Sequence, residues 1–196
     1  MTEPRGDIRV EPARPERWAD VRAVLDGAAE RGCWCQPWRG TDAEGRQRGE
    51  SRPETLARHM RDDGVPPGFV AYVDDRPAGW VGVSVRGSTP RLDASRTITA
   101  IDDLPVWVIG CFRIAPGFRR RGVARALLAG VIDAARAAGA PGVEAFPVDP
   151  GGRRMDVGFG FVGIASMFDA AGFRRVVETD AHSGRLPRIL VRLDLA

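Results

Sequence analysis

Residues 111–128 read CFRIAPGFRRRGVARALL. The apolar strand that begins upstream at VWVIG runs into a Pro-Gly turn, three consecutive arginines and Gly122, and then into the apolar residues of a helix. The first N–H groups of a helix have no internal partner, and the helix dipole adds partial positive charge there. Gly122 carries no side chain to block approach, so the stretch reads as an anion site made mostly of backbone. Arg119, Arg120 and Arg121 add charge-assisted bonds suited to phosphate oxygens. A solvated basic helix start is the plain alternative. A basic first turn opposes the dipole, however, and a compensating anion explains it better.

Working outward, DIRVEPA alternates as a first strand over 7–11, and Trp18, Val21, Val24, Leu25 and Ala28 mark a helix that Gly32 can end. CWCQPWRG and the polar stretch to Gly49 form a loop. SRPETLARHMRDD carries a capping box in Ser51 and Glu54, with Pro53 early in the helix. Strands over about 69–73 and 78–85 flank DDRP as a hairpin. VWVIGCFRI is continuously apolar, as suits a central strand covered on both faces. GVARALLAGVIDAARAAG is the strongest helix; a strand, GVEAFPV, a short helix, IASMFDAAGF, and two last strands, RRVVET and RILVRLDL, follow. The order β-α-α-β-β-β-α-β-α-β-β predicts an α+β domain spanning 1–196, with a mixed sheet of about seven strands flanked by four helices.

Composition narrows the function. The hydrophobic fraction is 43% and net charge only +3. Acidic residues are spread through the chain, which argues against a nucleic-acid stripe. No window approaches eighteen apolar residues and the N-terminus has no apolar core, so neither a membrane span nor a secretory signal is expected, and the default location is the cytosol. The chain has no lysine, which removes a P-loop and a Schiff base. Cys33, Cys35 and Cys111 are read as reduced thiols, and their spacing does not make a metal site.

The stretch CFRIAPGFRRRGVARALL resembles the acetyl-coenzyme A motif of the GNAT acetyltransferases, in which a strand is followed by Arg/Gln-x-x-Gly-x-Gly/Ala opening a long helix. Here the pattern falls on Arg119-Arg120-Arg121-Gly122-Val123-Ala124. The element order is also similar to that fold, over nearly the whole chain. The loop CWCQPW, with SMF and FPVDP, resembles a branch of the family from high-GC bacteria. The resemblance implies acetyl-CoA as co-substrate and no metal. Backbone amides over 119–124 would hold its pyrophosphate, and Phe112, Arg113 and Ile114 would pair with its pantetheine arm and offer an N–H to the thioester oxygen. It implies transfer to a primary amine of a small molecule, without nucleic acid or membrane, and leaves room for a homodimer. A coenzyme-binding module with little turnover and a protein acetyltransferase are the rivals.

Two positions depart from the family pattern. Phe168 stands where a tyrosine usually protonates the leaving thiolate, and Phe161 where an asparagine often holds pantetheine. Glu144 and Asp149 are the candidate general bases, against a solvent-facing Glu144 and an Asp149 that only shapes a turn. Trp34 and Trp38 are candidate walls of the acceptor pocket, against ordinary packing. Cys111 could be acylated in principle, although a buried structural thiol is the simpler reading. His59 is read as surface and His182 as a loop residue. GFGFVG, residues 158–163, matches GxGxxG but lacks the strand directly before it that a dinucleotide site needs.

Overall fold

The hairpin at DDRP is closed by Asp74 and Asp75, both left-handed (φ 50° and 59°), the geometry of a two-residue turn matched to strand twist. The computed structural model describes residues 7–26, 34, 43–62, 64–152 and 157–195. Seven strands form one sheet: β1 (Ile8–Pro12), β2 (Gly68–Val73), β3 (Arg76–Val85), β4 (Trp107–Ile114), β5 (Gly142–Ala145), β6 (Arg174–Ser183) and β7 (Leu186–Asp194). Their order is β1-β2-β3-β4-β5-β7-β6, antiparallel except where β4 meets β5. The helices are α1 (Trp18–Leu25), α2 (Ala43–Gln47), α3 (Arg52–His59), α4 (Pro90–Asp93), α5 (Val123–Ala137) and α6 (Ala165–Asp169). The α+β class with a seven-stranded mixed sheet is as the sequence predicts; α2 and α4 are short additions in stretches without a strong period.

A parallel pair needs a crossover, and α5 supplies it between β4 and β5. Val123, Leu127, Leu128, Val131, Ile132 and Ala135 are buried at helical spacing on one face of the sheet. Burying each of the larger ones is worth roughly 1.5–3 kcal/mol. Gly130 lets α5 lie close on β1, since a Cβ there would stand 2.6 Å from a Val10 methyl. The opposite face is covered by α1 and α3 around Trp80, Val70 and Leu56, and further along by Leu92 and Ile98 against Val108 and Phe146. Helix α3 starts on the expected capping box, Ser51 N–H donating to Glu54 at 2.7 Å.

Two irregularities of β4 matter below. Gly82 pairs with Cys111 while Val83 pairs with Ile109, so Gly110 is the extra residue of a bulge. The bulge switches faces: Ile109 packs under α5 and Cys111, two residues on, packs on the α1 side. Pairing with β5 covers only Trp107 to Ile109. Beyond it β4 continues to Ile114, and β5, expected to run through Val148, ends at Ala145. The sheet therefore forks between β4 and the segment after Ala145.

Cys111 is disulfide-bonded, so it is not the reduced thiol the composition suggested; Cys33 and Cys35 lie outside the described residues. The helix end expected at Gly32 lies outside the described residues; the described part is Trp18–Leu25. GFGFVG falls in a 3-10 segment, Val157–Val162, followed by a five-residue helix, which is not the geometry of a dinucleotide fingerprint. Among the described residues no helix is long and apolar enough to cross a membrane.

Candidate functional site

The turn between β4 and α5 is built from left-handed residues: Gly117 (φ 87°), Arg120 (φ 61°) and Gly122 (φ 90°). Phe118 pins it by burying its ring in the α5 core, with the guanidinium groups of Arg76 and Arg121 over that ring at 5.2 and 5.7 Å. Arg119 and Arg120 are exposed. No side chain caps α5, and among the described residues no backbone acceptor takes the N–H groups of Arg119 to Arg125. A Cβ at Gly122 would meet only the Ile8 methyl, at 3.9 Å, so the approach is open. Several unclaimed donors, a helix N-terminus and flanking arginines together suit a phosphate.

Phe112, Arg113 and Ile114 lie on the forked part of β4, where, among the described residues, no strand pairs with the edge that faces β5. The 3-10 segment Val157–Val162 lies alongside β4. Phe112 faces the α5 side and meets the edge of Phe168 at 6.1 Å, and Phe168 in turn meets Phe173 at 5.2 Å. Arg113 faces the other way and donates through Nε to the Val24 carbonyl at 2.7 Å, tying β4 to the end of α1. A groove of about 270 Å³ runs between α5 and α6, lined by Arg125, Leu128, Ile132 and Met167 among others.

Glu144 does not face solvent: it is 1% exposed. Its carboxylate accepts from Arg86 at 3.1 Å and from Arg192 at 3.5 Å, and Arg192 also meets Asp102 and Asp194. Burial pushes the Glu144 carboxyl up, and the two arginines pull it back. Asp149 accepts from Arg175 at 2.7 Å and from the Gly151 N–H, which closes the turn. Each carboxylate thus has fixed cationic or amide partners.

Trp34 is packed against Trp18, ring centroids 6.0 Å apart, in the core under α1; Trp38 lies outside the described residues. His59 is half-buried on α3 rather than on the surface, and His182 lies in β6, exposed, beside the Asp180 carbonyl. Phe161 is 43% exposed. Phe168 is fully buried, its ring so close to Gly163 that a Cβ there would fall 2.7 Å from it.

Sequence reading missed one cluster. Arg86, Arg188 and Arg192 are all buried, and Arg188 donates through Nε to the Phe146 carbonyl at 2.8 Å. The signal was present in RILVRLDL: Arg188, Leu190 and Arg192 are spaced by two and so share a face, and Leu190 is wholly buried there.

Comparison with known proteins bears on the family and the fold. Residues 22–155, more than half of the chain, match the family described as Acetyltransferase (GNAT) family. No curated protein matches the sequence. Similar solved structures include a GNAT-family acetyltransferase from Streptococcus pneumoniae, 15% identical with a TM-score of 0.56, covering 97% of this chain and 100% of that one. Another is yncA from Salmonella typhimurium with its cofactor acetyl-CoA, 16% identical, TM-score 0.53, covering 96% and 94%. The ribosomal-protein-S18-alanine N-acetyltransferase from Escherichia coli is 12% identical, TM-score 0.54, covering 97% and 95%. At these identities the likeness concerns the fold alone.

Proposed function

Because the chain belongs to the acetyltransferase (GNAT) family, we propose that it moves an acetyl group from acetyl-CoA directly to a primary amine of a small molecule. The observation that carries this is the α5 N-terminus: a left-handed Gly122, open space before it and a run of N–H groups that take no backbone acceptor among the described residues, set beside a strand edge with which no described strand pairs. Those residues fit a pyrophosphate followed by an extended amide-bearing arm. The N–H groups over 119–124 would hold the pyrophosphate, with Arg119, Arg120 and Arg121 as helpers at its outer oxygens. Phe112, Arg113 and Ile114 would pair with the pantetheine arm and aim an N–H at the thioester oxygen.

Acetyl-CoA supplies an activated acyl group with a good leaving thiolate. The chain's own contribution is to position it and to stabilise charge as the C–N bond forms and the C–S bond breaks. A preorganised N–H at the oxyanion is worth about 3 kcal/mol of barrier, and holding amine and thioester together supplies much of the rest. Neither Glu144 nor Asp149 is assigned the role of base, since both carboxylates are held by arginine; the amine's proton leaves through water. Phe168 offers the thiolate no proton, and water serves there as well.

A second reading, a coenzyme-binding module with little turnover, is favoured by Phe168 alone. Calorimetry with acetyl-CoA, followed by release of free thiol with an amine panel, tests both. Binding with turnover is expected. Binding without turnover on any amine selects the module, and no binding sinks the acetyl-CoA reading altogether.

A further inference from the structure

The arginines at the base of the fork are buried and engaged: Arg86 with Glu144, Arg188 with the Phe146 carbonyl and Arg192 with Asp102. Arg113, further along β4, differs from them. It is partly exposed, so solvent reaches it. Its Nε donates to the Val24 carbonyl at 2.7 Å, while Nη1 and Nη2 meet no acceptor among the described residues, and no carboxylate pairs with it there. The Val24 carbonyl belongs to the last turn of α1, an end where the helix dipole favours a cation. That contact uses the Nε donor and fixes the guanidinium plane. It leaves over the Nη1–Nη2 edge, the one that grips a carboxylate or phosphate in bidentate fashion.

The place of this edge gives it a use. Phe112 to Ile114 form the stretch of β4 to which the proposed function assigns the acyl end of the coenzyme. On the α5 face of that stretch, Phe112, Phe168 and Phe173 fill the space with buried rings. A polar amine would lose its hydration there without return. The opposite face, toward α1, takes Cys111 and Arg113 from the same strand. Cys111 is buried and disulfide-bonded, so Arg113 is the one ionisable side chain of β4 open to a ligand on that face. We propose that Arg113 selects the acceptor: the amine carries an anionic oxygen group, carboxylate or phosphate, on its own skeleton, and this group docks on the Nη1–Nη2 edge on the α1 side of β4. The inference rests on the acetyl-transfer reading above for where the acyl end lies; the solvent-reached guanidinium edge does not depend on it.

The test uses matched probes: β-alanine against β-alaninamide, γ-aminobutyrate against its amide, and phosphoethanolamine against ethanolamine. Binding of each to the whole protein is measured by calorimetry with and without saturating coenzyme A, and kcat/KM is measured with acetyl-CoA. At least one anionic member is expected to bind, or to react, roughly tenfold or more better than its neutral partner. The favoured pair tells carboxylate from phosphate. Arg113→Gln should bring the ratio within that pair toward one, by weakening the anionic member much more than the neutral one. Arg113→Lys, which keeps the charge without the fork, should restore part of the ratio. Equal handling of charged and neutral members by the wild type in every pair overturns the inference. So does a preference that survives Arg113→Gln, which would belong to another cation, or a variant that weakens both members alike, which would make Arg113 a tether to α1 and nothing more. A protein that binds coenzyme A and ignores the charge difference fails only here. One that shows the Arg113-dependent preference and binds no coenzyme fails only in the acetyl-transfer reading.

Discussion

The turn before α5 and the base of the fork are both made with arginine, and they use it in opposite ways. At the turn, Arg119 and Arg120 are exposed and the proposed grip belongs to the backbone around Gly122. At the fork, Arg86, Arg188 and Arg192 are buried and the side chains themselves make the structure, through Glu144, Phe146 and Asp102. Exposed charges are conspicuous in a sequence and worth little each; buried ones are inconspicuous and each must be matched. The three adjacent arginines therefore advertise a site whose energy lies elsewhere. The scattered ones, one just past β3 and two on β7, hold the sheet together.

Substitution at Glu144 should have the largest effect on this contrast. Glu144→Gln leaves Arg86 and Arg192 facing a neutral amide in a buried place, and removing one member of a buried pair costs about 3 kcal/mol or more. A sharp drop in melting temperature is expected. A variant that melts like the wild type yet loses a hundredfold in kcat would instead make Glu144 the base and break the comparison.

Next comes Gly122→Asp, which should weaken acetyl-CoA binding by roughly 100-fold, from backbone strain at positive φ plus a carboxylate at the phosphate site. The open space at Gly122 means bulk is not the cause. Gly122→Asn keeps the strain without the charge, so calorimetry on the two variants separates these contributions. Unchanged affinity in both would move the phosphate site elsewhere.

Phe168→Tyr should act least. The new hydroxyl would be driven toward the Gly163 backbone inside the α5 core, and overpacking of this kind costs about 1–3 kcal/mol. Thermal denaturation should show that loss with no gain in kcat. A rise in kcat would mean that the ring edge reaches the reacting thiol, and would return the general acid to that position.

The legibility of the molecule follows the same divide. The α5 helix, the hairpin at Asp74 and Asp75 and the capping box at Ser51 were readable because each is a local pattern whose physics lies within a few residues. The turn proposed to hold the phosphates was readable for the same reason. The fork was not: β5 reads as a strand through Val148, and only the third dimension shows that its partner leaves at Ile109. The role of Glu144 depends on Arg86, fifty-eight positions away, and on Arg192, forty-eight away, contacts that no local window contains. The bulge at Gly110 is equally hidden, since it sets Cys111 on the face opposite to Ile109 against the plain alternation of the strand.

The unpaired edge of β4 also bears on how the protein behaves as a material. A sheet of this length ordinarily offers unpaired edges only at β1 and β6, but here, among the described residues, a further stretch without a paired strand lies in the middle, along Gly110 to Ile114. Edges of that kind recruit extended segments from other chains. The arm of the coenzyme, by filling the place of an eighth strand, would act as a built-in guard against self-association. Colloidal stability of the protein should therefore track coenzyme concentration, and preparations stripped of it should be the first to cloud.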